Sequence, residues 1–116
     1  MTVMGQSPVI VERFYGFLVW IFERTSQYPK TYRYSLGGKI QQEALAILEH
    51  LVQAAYRKQK RPILEDINRK LESMRFLIRL SKDLKCLSLR QYEYAGNECM
   101  EVGNQVGGWI KSVRRG

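Results

Sequence analysis

The C-terminal part of the chain places three glycines, Gly103, Gly107 and Gly108, within six residues, in a stretch whose neighbours favour a helix. A glycine inside a helix costs about 1 kcal/mol relative to alanine, so another interaction must offset these residues. Gly103 and Gly107 are four residues apart and share one face of a helix with Gly96, seven residues before Gly103. A face without side chains lets another helix or a partner's backbone approach closely.

An apolar stripe at heptad spacing runs beside this glycine face: Tyr92, Ala95, Cys99, Val102, Val106, Trp109 and Val113. Such a stripe predicts that this side of the helix is buried. One helix therefore offers two packing faces, which suggests assembly.

Helical periodicity predicts four helices: one over about residues 7–26, one over about 35–58, one that Pro62 opens, and one that Ser88 and Gln91 begin with a capping box. Between the first two, Pro29 biases its preceding residue away from helical geometry, and residues 28–34 read as a loop. No segment has a strong strand pattern. Short connections between amphipathic helices predict a single all-α domain, residues 1–116, folded as an antiparallel up-down-up-down four-helix bundle.

Core stripes are expected on the second and third helices, at Ile40, Ala44, Ile47, Leu48, Leu51 and Ala55, and at Leu64, Ile67, Leu71, Met74 and Ile78. The first helix is apolar nearly all round, since only Glu12, Arg13 and Gly16 interrupt the apolar residues 9–22. Such a helix is buried on more than one side. Either it is the central helix of the core, or its surplus apolar surface forms a subunit interface.

The net charge is +8, with a pI of about 9.7, and residues 57–90 hold eleven Lys or Arg against four acids. A positive field of this kind attracts polyanions such as nucleic acid, an acidic protein or an anionic membrane. Arg75, Arg79 and Lys82 lie at i, i+4 and i+7 on the third helix, and Lys85 and Arg90 continue the charge. This spacing predicts a ridge suited to a phosphate backbone. A solvated helix face is the alternative.

A second candidate surface is the 28–34 segment, where Tyr28, Tyr32 and Tyr34 alternate with Lys30 and Arg33. Aromatic rings beside cations can stack bases. Packing that anchors the segment against the bundle is the preferred interpretation of the tyrosines.

The residues argue against an enzyme. There is one histidine, His50, and the Glu-x-x-His motifs of a di-metal bundle, a phosphate-binding Gly-rich loop and a catalytic triad are all missing from the sequence. We expect no metal and no cofactor. Cys86 and Cys99 have no metal or redox spacing, and neither a membrane span nor a secretory signal is present, so a cytoplasmic protein with free thiols is expected.

Several segments together resemble the accessory variability determinant (Avd) proteins of diversity-generating retroelements, which belong with the four-helix-bundle proteins encoded in ribosomal RNA intervening sequences. The similar segments cover nearly the whole chain and occur in the family's order: Phe14-Tyr15 and Leu18-Val19-Trp20, then Tyr28-Pro29-Lys30, Arg33 to Gly37, Leu71 to Leu80, Gln91-Tyr92, and Glu101 to Ser112 with its Gly-Gly-Trp.

The resemblance implies a barrel-like homopentamer of four-helix bundles. We expect Gly103, Gly107, Gly108, Trp109 and Trp20 to serve oligomer contacts or packing. It also implies a non-catalytic, basic subunit that associates with the retroelement's reverse transcriptase and its template RNA, in a complex that makes adenine-mutagenised cDNA. The intervening-sequence branch is the alternative: a structural or protein-interaction bundle without specific nucleic-acid binding.

Overall fold

The computed structural model of this chain describes residues 7–115. Four long helices dominate it: α1 (Ser7–Thr25), α3 (Gly38–Tyr56), α4 (Arg61–Asp83) and α5 (Leu89–Arg115). Between the first two lie a single helical turn, α2 (Lys30–Tyr32), and a π-helix, Arg33–Gly37. No strand occurs in the described part of the chain. Each long helix packs against the next in sequence, and α5 returns to contact α1, consistent with the predicted four-helix bundle.

The apolar stripes read from the sequence form the core. Every predicted core position of α4 is buried, as are Ala95, Cys99, Val102 and Val106 on α5. On α3 every predicted core position is buried except Leu48, which is half-buried against the edge of the core. On α5, Tyr92 and Val113 are likewise half-buried against the core. The core prediction is therefore confirmed, because helical spacing alone determines which side of each amphipathic helix faces inward.

Helix α1 has more apolar surface than the bundle covers. Its inner face is buried, but Tyr15, Val19 and Phe22 remain 56%, 44% and 37% exposed along the outer face. The interpretation of α1 as a central core helix is wrong, because one side of it faces outward. Its surplus apolar surface is real and has no cover within residues 7–115.

The predicted loop over residues 28–34 is helical for most of its length. Pro29 (φ −51°, ψ 144°) is the N-cap, and the chain becomes helical immediately after it, with the Tyr32 N–H donating to the Pro29 carbonyl over 2.8 Å. Proline restricts the residue before it, whereas its own fixed φ favours helix initiation. The second helical segment therefore begins at Lys30, five residues before the predicted start.

Tyr28 anchors this turn to the bundle. Its side chain is 2% exposed, and burial raises the pKa of its phenol while a contact with Ser81 at the end of α4 opposes part of that rise. The turn is also held by Gln41 Nε2, which donates to Thr25 Oγ1 over 2.8 Å. Packing, the preferred interpretation of the tyrosines, is therefore confirmed for Tyr28 but is wrong for Tyr34, whose side chain is 79% exposed.

The turn between α4 and α5 is fixed by hydrogen bonds on both sides. The Cys86 N–H donates to the Ser81 carbonyl over 2.8 Å around Lys85, whose φ is 65°, and this left-handed residue completes a Schellman motif. The predicted capping box follows: Gln91 N donates to Ser88 Oγ over 3.1 Å and Ser88 N to Gln91 Oε1 over 2.9 Å. These hydrogen bonds fix where α4 ends and where α5 begins.

Within residues 7–115, no helix combines the length and the apolar content that crossing a membrane requires.

Candidate nucleic-acid interface

The predicted basic ridge on α4 borders a groove between α4 and α5. Arg75 and Arg79 line this groove with Glu72, Phe76 and Tyr92, and its volume is about 180 Å³. We call it the α4–α5 groove. Lys82 belongs to the same cluster, because its Nζ lies 5.0 Å from the centroid of the Tyr92 ring. Three cations predicted from helical spacing thus converge on one aromatic-lined surface.

Acidic side chains compensate two of these three cations. Arg75 Nη1 lies 3.5 Å from Glu72 Oε1, and Lys82 Nζ lies 3.1 Å from Asp83 Oδ1. Among residues 9–113, no carboxylate forms an ion pair with Arg79. Exposed ion pairs of this kind contribute at most about 1 kcal/mol, so a phosphate can displace the carboxylates at little cost.

The absence of a side chain at Gly103 lets Arg75 lie against α5. A Cβ on this glycine would be 3.3 Å from Arg75 Nη2 and 4.0 Å from Leu71 Cδ1. The same guanidinium acts on the Cys99 thiol: burial raises the pKa of Cys99 to about 12, and the charge of Arg75 opposes part of that rise. One edge of the Arg75 side chain is therefore held by the neighbouring helix.

The remaining predicted cations lie near the same end of the bundle but do not line the groove. Lys85 is in the turn after α4, Arg90 is in the first turn of α5, and both are exposed. Lys30 and Arg33 follow α1 at this end, since α1 and α4 run in the same direction. Arg33 Nε donates to the Tyr28 carbonyl over 3.2 Å, and the residue borders a separate pocket with Ser26, Tyr34, Gly38 and Gln41.

Comparison with known protein families matches residues 8–113 to the family described as bAvd-like. The chain belongs to the bAvd-like family. The match covers nearly the full length of the four long helices and the groove between α4 and α5, and it confirms the resemblance inferred from the sequence. It supports an Avd-type accessory protein, a type that is non-catalytic. A search of curated proteins finds no match to this chain.

Two aromatic residues of the α4–α5 groove in this bAvd-like chain were not predicted as site residues. Phe76 is 61% exposed between Arg75 and Arg79, and Tyr92 is half-buried beside them. Phe76 could have been recognised, because it lies off the apolar stripe of α4 and has a cation immediately before it. Tyr92 belongs to the core stripe of α5, and periodicity alone does not reveal that it also borders a surface groove.

Among the residues predicted for packing in this bAvd-like chain, some are buried and others face open space. Trp109 is 5% exposed, and Lys60 Nζ lies 5.9 Å from the centroid of its ring. Trp20 is half-buried and stacks on Phe17, with ring centroids 5.9 Å apart. A Cβ on Gly107 or Gly108 would have nothing within 4 Å, so the role of these glycines in contacts between copies stays a prediction.

In the described part of the chain, no group of three or more His, Cys, Asp and Glu residues could hold a metal ion. His50 Nδ1 lies 2.7 Å from the Ala46 carbonyl, and its Nε2 lies 3.6 Å from Asp66 Oδ2. Its neighbours are thus a helix backbone and a surface carboxylate.

Proposed function

We propose that this chain is a basic, non-catalytic accessory subunit that binds nucleic acid and the reverse transcriptase of a diversity-generating retroelement. In this role it engages template RNA and cDNA and supports mutagenic cDNA synthesis and retrohoming. The observation that carries the proposal is the convergence of Arg75, Arg79 and Lys82 on one groove of a bAvd-like chain.

The charge distribution supports a polyanionic partner. Residues 57–90 contribute +7 of the net charge of +8. Within this range, Arg79 lies between Arg75 and Lys82 in sequence and is exposed. Cations at helical spacing can contact successive phosphates and release condensed counterions. Phosphate contacts carry little sequence information, so selectivity for a particular template would come from RNA shape or from the reverse transcriptase.

We also propose that the working form is a homopentamer. The apolar outer face of α1, with Tyr15, Val19 and Phe22, supports contacts between copies, and so do Gly107 and Gly108 of α5, where a Cβ would have nothing within 4 Å. An exposed apolar face on a helix commonly marks an interaction site. Each copy would bring its own α4–α5 groove to the assembly.

RNA binding as a function of salt concentration tests the nucleic-acid proposal. The wild type is compared with Arg75→Glu/Arg79→Glu/Lys82→Glu, which reverses the charge of the ridge. A matched control, Arg57→Glu/Lys58→Glu/Arg61→Glu, changes the net charge equally at the opposite end of α4. We expect a steep salt dependence for the wild type and the control, and weaker binding with a flatter slope for the ridge variant.

Other results would redirect the proposal. No RNA binding by the wild type at low salt would favour the protein-interaction bundle of the intervening-sequence type. Equal losses in the ridge variant and the control would mean that binding follows net charge and not the groove. For the enzyme partner, co-purification of the reverse transcriptase with Arg75→Glu/Arg79→Glu shows whether these arginines also serve that contact.

A further inference from the structure

The α4–α5 groove combines exposed aromatic surface with cations, and this combination restricts the form of nucleic acid that fits it. Phe76 is 61% exposed, and Arg75 and Arg79 lie on either side of it in sequence. Single exposed apolar residues are common on protein surfaces. Here, however, a second ring, that of Tyr92, lines the same groove. Two rings facing one groove offer a surface for a flat, apolar-faced group.

The Tyr92 ring is held in place on one side by a cation. Lys82 Nζ lies 5.0 Å from the ring centroid, a distance typical of a cation–π contact. This contact favours an arrangement with both side chains at the edge of the groove. The phenol ring and the ammonium group are thereby presented together to whatever binds there.

Carboxylates offset part of the positive charge at the groove. Arg75 and Lys82 are each beside a carboxylate, and only Arg79 has none among residues 9–113. A duplex presents phosphates but keeps its bases stacked inside the helix. A single strand presents phosphates and unstacked bases together, and base–aromatic stacking adds affinity that does not depend on salt.

The groove is small and open for a site that encloses a free small molecule. At about 180 Å³ it is smaller than the usual range of about 300–1,000 Å³ for ligand pockets, and it is shallow and open. A surface of this size can receive one flat group while the rest of the ligand continues along the protein. Glu72 at the rim adds an acceptor for the amino group of a base.

We propose that the α4–α5 groove is a binding site for single-stranded nucleic acid, in which Phe76 and Tyr92 stack a base while Arg75, Arg79 and Lys82 hold the adjoining phosphates. This inference rests on the proposed nucleic-acid function and specifies its ligand. It makes Phe76 a binding residue, although it carries no charge and lies outside the core.

The test compares three probes of equal length and charge by fluorescence anisotropy: an unstructured RNA strand of about 20 nucleotides, an abasic strand, and a hairpin duplex. We expect the wild-type protein to bind the unstructured strand most tightly. Phe76→Leu should weaken that binding about tenfold, as expected for the loss of one stacked base, with little effect on abasic or duplex binding. Phe76→Trp should retain the wild-type affinity.

A matched control separates a local effect from the general loss of an exposed ring. Tyr56 is 58% exposed at the end of α3, outside the groove, and Tyr56→Leu should leave the affinity unchanged. Since Phe76 and Tyr56 are both exposed, neither change threatens the core, and circular dichroism would verify the helical content.

The inference is overturned if Phe76→Leu binds the strand as tightly as the wild type, or if abasic, duplex and unstructured probes bind equally. Either result leaves the proposed function intact, provided that the ridge variant binds RNA less tightly than the wild type. Loss of reverse-transcriptase co-purification in Phe76→Leu with unchanged RNA affinity would assign the surface to the protein partner and also overturn the inference. A wild type that binds none of the probes would remove both proposals.

Discussion

Arg75 Nη2 lies 3.3 Å from the position that a Cβ on Gly103 would occupy, so the two helices that form the groove meet at a guanidinium and a bare backbone. The contact joins a packing feature predicted from the glycines to a binding feature predicted from the charges. Alanine at this position would require the Arg75 side chain to shift, which offsets part of the roughly 1 kcal/mol that glycine costs in mid-helix.

Gly103→Ala tests this contact against Gly96→Ala on the same helix, where a Cβ would have nothing within 4 Å. Gly96→Ala should raise the free energy of unfolding by up to about 1 kcal/mol through helix propensity. Gly103→Ala should raise the free energy of unfolding by a smaller amount, because the Arg75 side chain must move by a few tenths of an ångström. Urea denaturation at matched oligomeric mass measures both changes. Equal stabilisation of the two variants would show that the arginine yields without cost.

Lys85 adopts a φ of 65° in the turn that ends α4. A left-handed conformation costs a residue with a Cβ about 1 kcal/mol or more, and glycine avoids this cost. We therefore expect Lys85→Gly to raise the free energy of unfolding by about 0.5–1 kcal/mol, after allowance for the greater freedom of glycine in the unfolded chain. Lys85→Ala keeps the unfavourable φ and is the control. Thermal unfolding that gives the same stability for both variants would contradict this account.

The long helices could be predicted from the sequence because their signals are local. The stripe from Leu64 to Ile78 has the helical period and is buried throughout, and the pairing of Ser88 with Gln91 follows from two residue types at one spacing. The segment after Pro29 was assigned wrongly because the helix-breaking effect of proline applies to the residue before it. The patterns in the sequence did not predict the π-helix at Arg33–Gly37.

The candidate site was predicted only in part, since its residues come from two helices. Helical spacing placed Arg75, Arg79 and Lys82 on one face of α4 but did not indicate which residues of α5 oppose them. The contribution of Tyr92 depends on how α5 rotates against α4, which is a property of tertiary packing. Lys85 and Arg90 were correctly placed near the ridge but lie outside the groove itself.

The two cysteines should differ sharply in reactivity. Burial raises the pKa of Cys99 to about 12, so at pH 8 only about one thiol in ten thousand is ionised. Burial also raises the pKa of Cys86, but this residue is only half-buried. Because thiolate is the reactive form, a colorimetric thiol reagent should modify Cys86 slowly and Cys99 only after denaturation. Cys86→Ser should show no reactive thiol when native and one when unfolded. Rapid modification of native Cys99 would contradict its burial.

Gly107→Leu separates the stability of one bundle from the assembly of several. A Cβ on Gly107 meets nothing within 4 Å of the same chain, so leucine should not disturb the bundle and should favour its helix by somewhat less than 1 kcal/mol. If the glycine face packs against a second copy, the same leucine overpacks that contact at a cost of about 1–3 kcal/mol. We therefore expect a lower mass by light scattering than the wild-type pentamer, about five times 13.6 kDa, with wild-type helical content. The control Gly107→Ala adds one methyl group and should weaken assembly less. A wild type that is monomeric at micromolar concentration would eliminate the pentamer, whereas a Gly107→Leu variant of wild-type mass would exclude this face and leave the apolar side of α1 as the candidate contact.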